Sequence, residues 1–178
     1  MTQNLLAVAL YRKELAELLS TLKGIRTVRE HAGTFTEDDV KQIMMNAPAL
    51  HVAILAIRPA EGEPSGNVQC ALKLAIYIVT KDEPGLPRDT AAINIATALI
   101  MLLDRRQMKV TGKFLGQPLK NFAWRSLYTS GGQSTGVLLS ALDCDCNLTI
   151  LRDLTEPELM ARFESFYLGD ELALASTI

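Results

Sequence analysis

The fold of this chain is constrained most by two long segments, residues 68–80 and 137–150, in which apolar and polar side chains alternate. A period of two places successive side chains on opposite faces of a β-strand. At about 3.3 Å per residue, each segment is roughly 40 Å long as a strand, whereas most strands in globular proteins have about five or six residues. The pattern therefore predicts two unusually long strands.

The two faces of these strands differ in polarity. One face is expected to carry the apolar side chains of Val68, Cys70, Leu72, Leu74, Ile76, Ile78, Leu138, Leu142, Cys144, Cys146, Leu148 and Ile150. The other face is expected to carry Gln69, Lys73, Tyr77, Asp143, Asp145 and Asn147. Alternation of this kind is typical of a sheet with one face on a core and the other in water.

Three helices are predicted in the first 150 residues. Leucines recur at helical spacing over 5–22, and an acidic helix start followed by an apolar face predicts a second helix over 36–47. The third is predicted over 89–106, with Asp89 or Thr90 as its cap.

Further strands and loops complete the prediction. Strands are expected at 25–28, 49–57 and 119–128, and loops at 58–67, 81–88 and 129–136. The sum is an α+β domain over residues 1–150, in which a mostly antiparallel sheet packs against two or three helices. Residues 151–178 are predicted to form a helical C-terminal extension.

The composition points to self-association. The chain has 178 residues, 48% of them hydrophobic, and its 18 basic and 20 acidic residues leave a net charge of −2. This excludes a disordered chain, and no basic excess exists for binding nucleic acid by gross charge. The longest uncharged run, 90–103, is shorter than the roughly 20 residues of a membrane span. We expect a cytoplasmic protein without a signal peptide, whose apolar surface is covered by copies of itself.

No motif for a cofactor or a metal is found. The glycines form neither a Walker loop nor a dinucleotide fingerprint. The cysteines Cys70, Cys144 and Cys146 are predicted to be buried thiols, and His51 a structural residue within an apolar strand. We therefore expect no cofactor and no catalytic site.

Two pairs leave alternatives open. Asp143 and Asp145 lie on one face of a strand, so they are either a solvated face or the carboxylate pair of a small hydrolase. Trp124 and Tyr128 share a face if their segment is a strand, where they are either core or an exposed interface anchor. The solvated-face interpretation is preferred for the aspartates.

Several segments resemble a family of small tail proteins from Mu-like phages and prophages, of the tail-terminator or tail-completion type. They are GIRTVRE at 24–30, EDDVK at 37–41, APALHVA at 47–53, the long strand at 68–80 with the Ala- and Leu-rich helix after it, and LKNFAWRSLY at 119–128 with the glycine-containing loop and the strand to residue 150. The likeness covers about residues 4–150, and the extension at 151–178 departs from the pattern of shorter relatives.

The resemblance implies an α+β subunit that assembles into a ring, usually a hexamer, at the head-proximal end of a tail tube. Such a ring stops tube polymerisation and presents a surface to the head connector or neck protein. The implied location is the virion tail, assembled in the cytoplasm of the host bacterium. The implied partners are copies of the chain, the tail-tube protein and the connector, with no membrane and no sequence-specific contact to nucleic acid. Another head–tail joining or baseplate component is the alternative.

The resemblance transfers no catalytic residue, so the candidate site residues concern assembly. The predicted contacts between subunits are Phe163, Phe166, Leu172 and Leu174 of the extension, which have no apolar partner in the predicted domain. The predicted contacts to the tube or the connector are Arg58, Arg88, Arg105 and Arg106, with the loops at 58–67, 81–88 and 129–136. Polar loops of this kind commonly become ordered on assembly.

Overall fold

A computed structural model describes residues 7–33, 46–60, 68–110, 114–128 and 136–150. Within these ranges the chain forms two helices, α1 (Ala7–Ser20) and α2 (Arg88–Leu103), and seven strands. The strands are β1 (Thr27–His31), β2 (Ala49–Pro59), β3 (Val68–Lys81), β4 (Lys109–Val110), β5 (Phe114–Gly116), β6 (Lys120–Tyr128) and β7 (Val137–Ile150). The predicted α+β class is confirmed. The helix predicted over 36–47 and the extension over 151–178 lie outside these ranges.

The sheet is built on the antiparallel pairing of β3 with β7. Their register runs without a shift from Val68 opposite Ile150 to Lys81 opposite Val137. β2 pairs with the other side of β3, and β1 pairs with β2 in parallel. β6 and the short β4–β5 hairpin lie beside different parts of β7. The described sheet is therefore mixed: it is mostly antiparallel, as predicted, and the β1–β2 pair is parallel.

Both helices pack on one face of this sheet. α1 contacts β1 and β2, and α2 contacts β3 and β7. Between them and the sheet lies a continuous apolar core that includes Tyr11, Leu15, Leu50, Leu99, Leu103 and the even-numbered side chains from Cys70 to Ile78 in β3 and from Leu142 to Leu148 in β7. The predicted apolar face is thus the face under the helices, and all three cysteines are buried free thiols, as predicted.

The opposite face is only partly polar, and here the prediction is wrong. Tyr77 was expected on a polar face, but it is 4% exposed and belongs to a second buried cluster. That cluster also contains Ala47, Ala49, Ala53, Ala75, Val79, Val137, Leu139 and Ala141. The half of this face near the end of β3 is therefore a second core, and the predicted polarity holds only for the other half, with Lys73, Asp143 and Asp145.

The ends of the elements differ from the predictions for local reasons. β1 begins at Thr27 rather than at residue 25, because the turn after α1 uses Gly24 with φ +88°. α2 ends at Leu103 rather than at Arg106, since Asp104 leaves the helix and Arg105 has φ +57°. β6 was predicted as one regular strand, but register shifts beside Ala123 and before Tyr128 interrupt the alternation that placed Trp124 and Tyr128 on one face.

Gly116 allows α1 and the β4–β5 hairpin to approach each other closely. A Cβ atom at this position would lie 2.9 Å from Cε2 of Tyr11 and 3.4 Å from the carbonyl oxygen of Met108. The Tyr11 ring is fully buried and has no room to withdraw. The close contact therefore requires glycine for space rather than for backbone conformation.

We expect Gly116→Ala to lower the free energy of unfolding by about 1–3 kcal/mol through overpacking against Tyr11. Chemical denaturation of the purified variant measures this loss. A double variant with Tyr11→Leu, whose side chain is smaller than tyrosine, provides the control. The double variant should then lose less free energy of unfolding than the sum of the losses of the two single variants. Strictly additive losses would contradict the proposed contact.

Candidate functional site

The most unusual surface of the described chain is the outer face of α2, formed by Thr90, Ile93, Asn94, Thr97, Ala98 and Met101. All six residues are exposed, with Ile93 at 48% and Met101 at 79%. No charged residue lies between Asp89 and Asp104. We call this surface the outer face of α2.

The inner side of α2 is apolar as well, which makes the outer face unusual. Ala92, Ala96, Leu99 and Leu103 are buried against the sheet. A helix at the surface of a soluble protein normally carries charged side chains on its solvent side, and one that is hydrophobic all round is normally buried. The outer face of α2 therefore lacks the charged side chains that are usual on the solvent side of a surface helix.

This surface was not predicted from the sequence, although the uncharged run at 90–103 contains all six of its residues. The sequence pattern of this run predicts a core stripe of Ile93, Ala96, Leu99, Ile100 and Leu103, and for Ile93 this prediction is wrong, because its side chain is 48% exposed. A helical projection of the same residues would have shown the uncharged outer side. No helix in the described ranges is both long and apolar enough to cross a membrane.

The two edges of the sheet are a second candidate surface. Among the described strands, β1 pairs only with β2, and β6 pairs only with β7. Most of β6 is exposed, including Lys120, Asn121 and the segment 123–126. An edge strand presents backbone N–H and C=O groups that can pair with a strand of another chain. β1 and β6 lie at opposite sides of the sheet and could serve as two halves of one contact.

The predicted arginines do not form one patch. Arg88 is at the beginning of α2, whereas Arg105 and Arg106 follow its end, about 24 Å away along a helix of this length. Arg58 lies opposite Ala71, on the sheet face away from the helices. If these residues contact the tube or the connector, they do so at separate places.

Arg88 is also held within the subunit. Its backbone N–H donates to Oδ1 of Asp82 (3.0 Å), and its guanidinium lies 3.7 Å from the same carboxylate. Asp82 therefore caps α2 from six residues away, in place of the predicted Asp89 or Thr90. The backbone N–H of Asp82 donates to the carbonyl oxygen of Gly136, and Thr80 donates to that of Arg88. The predicted loop at 81–88 is thus a hydrogen-bonded turn in the free subunit.

The aspartates Asp143 and Asp145 are both engaged with neighbouring side chains. Arg125 donates to Asp143 from Nε (2.6 Å), and the Asp143 side chain is 17% exposed. Asn121 donates to Asp145 (2.9 Å). Each carboxylate thus has its own partner on β6, an arrangement that joins β6 to β7.

A cavity of about 210 Å³ opens where the beginning of β2, the end of β3 and the first turns of α2 meet. Lys23, Lys81, Glu83 and Asn94 provide its polar groups. Its volume is below the range of about 300–1,000 Å³ that is usual for ligand pockets. In the part of the chain that the structure describes, no three His, Cys, Asp or Glu side chains are grouped as metal ligands.

Two histidines and a tyrosine meet on the second core. The His31 ring contacts those of His51 and Tyr77 edge to face, at centroid distances of 5.9 and 6.0 Å. The Tyr77 hydroxyl donates to the carbonyl oxygen of Gly33 (2.9 Å). His51 is 5% exposed, and no described residue hydrogen-bonds to its Nε2. Burial, helped by the nearby charges of His31 and Arg29, lowers the pKa of His51 to about 4.

No family model matches the chain, and no curated protein matches it significantly. The predicted contact residues Phe163, Phe166, Leu172 and Leu174 lie outside the described ranges.

His51 makes stability depend on pH. An unfolded histidine has a pKa near 6.5, so between that pH and about 4 the unfolded chain binds a proton that folded His51 does not. Acidification through this window should therefore destabilise the protein, by up to about 3 kcal/mol from this group. In His51→Phe the loss of stability over the same pH range should be smaller. Urea denaturation from pH 7.5 to 4 measures both proteins, and parallel curves would contradict the assignment.

Proposed function

We propose that this protein is a structural subunit of a phage tail, a terminator that forms a ring on the tail tube and joins it to the head connector. The observation that carries the proposal is that β1 and β6, on opposite sides of one sheet, each have one side that no described strand covers. When a contact joins two different surfaces, successive copies are related by a rotation. They close into a ring if that rotation is a whole-number fraction of 360°. The sequence segments that resemble Mu-like tail proteins support the choice of assembly.

The charges on the two edges are compatible with this contact. β1 has exposed Arg29 and Glu30, and β6 has exposed Lys120 and Arg125. Arg125 already has Asp143 as a partner, and Glu30 accepts a 2.7 Å hydrogen bond from Arg12. The contact would therefore depend on backbone hydrogen bonds along the strands more than on new ion pairs.

In this assembly Arg58, Arg105 and Arg106 would contact the tube or the connector, and Arg105 also lies 3.7 Å from Asp104 of its own subunit. All three are exposed, and the Arg105 side chain is 92% exposed. Arg88 is less suited to this role because Asp82 holds it. The second core and the β3–β7 pair would hold these contact residues in fixed positions.

The ring can be tested by chemical crosslinking between the two edges. Arg29→Cys on β1 and Ser126→Cys on β6, combined in one chain and treated with a short bismaleimide, should give a ladder of products ending at the ring size, six by the resemblance. Either cysteine alone should give at most dimers, because the contact joins unlike edges. The native cysteines are buried and should react slowly.

Native mass spectrometry and electron microscopy of the unmodified protein complete this test. We expect a closed ring that binds one end of purified tail tubes. A ring that binds purified baseplates or connectors but no tube end would favour the alternative tail component. A chain that stays monomeric at all concentrations, with no ladder from the double-cysteine variant, would contradict the proposal.

The apolar residues of the extension can be tested in the full-length chain. Phe163→Ser with Phe166→Ser should shift the oligomer towards monomer, because the predicted contact loses its largest apolar side chains. Glu164→Ser, between the two phenylalanines but outside the apolar pattern, is the control. Size-exclusion chromatography with light scattering measures the mass, and identical profiles for the two variants would remove these residues from the interface.

A further inference from the structure

Both backbone polar groups of Gly33, two residues after the end of β1, are bound by side chains. The Gly33 N–H donates to Nδ1 of His31 (3.0 Å), and its carbonyl oxygen accepts from the Tyr77 hydroxyl (2.9 Å). Gly33 also lies against β2, since a Cβ atom there would be 3.1 Å from Cδ2 of Leu55. We call His31, Gly33, Tyr77 and the adjacent His51 the β1 latch.

The hydrogen bond from Gly33 requires a neutral His31. A ring nitrogen accepts a hydrogen bond only when it carries no proton, so the proton of neutral His31 is on Nε2. In the charged imidazolium both ring nitrogens are donors, and Nδ1 would present an N–H group to the N–H of Gly33. Protonation of His31 therefore removes one of the two bonds that hold the turn.

The position of His51 disfavours a charge as well. Its side chain is 5% exposed, and the centroid of its ring is 5.9 Å from that of His31. Arg29 lies directly opposite it in the register of β1 and β2. A charge on His51 would therefore be buried beside one cation, and beside two when His31 is also protonated.

Among the described residues, the acids of the neighbouring strands are already paired with cations. Asp143 on β7 acts on the Tyr77 hydroxyl, but Arg125 on β6 donates to it at 2.6 Å. Glu30 on β1 accepts from Arg12 on α1 (2.7 Å). These ion pairs are neutral as a whole, so they do little to offset positive charge on the two histidines.

The unpaired nitrogen of His51 indicates that packing alone does not explain this residue. No described residue hydrogen-bonds to its Nε2, whereas buried polar atoms are normally paired. An apolar side chain would fill the same place without an unpaired polar atom. Histidine adds one property that an apolar side chain lacks, which is a charge that appears on acidification.

We propose that the β1 latch is a pH-sensitive device that holds the end of β1 on β2 while His31 and His51 are neutral, and that releases residues 31–33 when they are protonated. The release is local, because Val28 packs on the core under the helices and Glu30 is bound to α1. The beginning of β1 therefore stays attached.

The size of the response follows from His51. Burial, helped by the nearby charges of His31 and Arg29, lowers its pKa to about 4, whereas a histidine in water has a pKa near 6.5. The closed latch is fully favoured above pH 6.5, and its share decreases as the pH falls towards 4, because the open form binds a proton that the closed form does not. Between pH 7.5 and 5 the ratio of open to closed latch should rise about 30-fold.

Hydrogen–deuterium exchange tests the latch, on overlapping peptides that resolve the amide of Gly33. The rate at each pH, divided by the intrinsic rate of an unprotected amide at that pH, gives the fraction of open latch. We expect this fraction to rise about 30-fold or more from pH 7.5 to 5. His51→Phe should reduce the rise, and His51→Phe with His31→Asn should abolish it, since the chain has no other histidine.

Two replacements of similar size separate the acceptor from the charge at His31. In His31→Asn the side-chain oxygen can accept from the N–H two residues on, as in an Asx-turn, and it does not titrate. His31→Leu provides no acceptor. At pH 7.5 we expect Gly33 to stay protected in His31→Asn and to exchange about fivefold faster in His31→Leu, the effect of one hydrogen bond. Tyr77→Phe should have an effect of similar size at both pH values.

Three results would overturn the proposal. They are equal protection of Gly33 at pH 7.5 and 5, equal exchange in His31→Asn and His31→Leu at pH 7.5, and a protection of Gly33 as high as that of the amides of β7. The last result would mean that the end of β1 opens only with the whole fold. None of these measurements depends on the ring, so the latch and the ring proposal can fail separately.

Discussion

The antiparallel pairing of β3 with β7 is the interaction on which the rest of the structure depends. Fourteen residues of each strand pair in one register without a bulge. A shift of β7 by one residue against β3 would turn its whole apolar set to the other face, and would bring Asp145 under the helices in place of Cys144. The length of the pair therefore fixes one arrangement, and β2, β6 and the β4–β5 hairpin are placed by the outer sides of these two strands.

This central pair also explains why the opposite face has two characters. Near the beginning of β3, Lys73 lies opposite Asp145, which accepts a hydrogen bond from Asn121 on β6. Towards its end, Tyr77 and Val79 lie opposite Ala141 and Leu139 in the second core. One long pair of strands thus serves a solvated surface at one end and a buried one at the other, which shorter strands could not do.

The parts of the fold that could be predicted are those determined by local pattern. The alternation gave both long strands, with β7 correct at each end, and placed Cys144 and Cys146 correctly in the core. The parallel β1–β2 pair, the β4–β5 hairpin and the burial of Tyr77 depend on contacts between distant segments, which no local period records. The same limit applies to the cap of α2, because Asp82 reaches Arg88 across a turn that the sequence shows only as a loop.

The candidate surfaces were less predictable than the fold because they depend on which side of an element is left uncovered. The uncharged run in α2 was visible in the sequence, but only the position of Leu99 and Leu103 against the sheet shows that Ile93 and Met101 point away from it. The outer face of α2, where Ile93 and Met101 stand beside Thr90, Asn94 and Thr97, carries no charge, so a partner that covers it meets no ionised side chain that must lose its water.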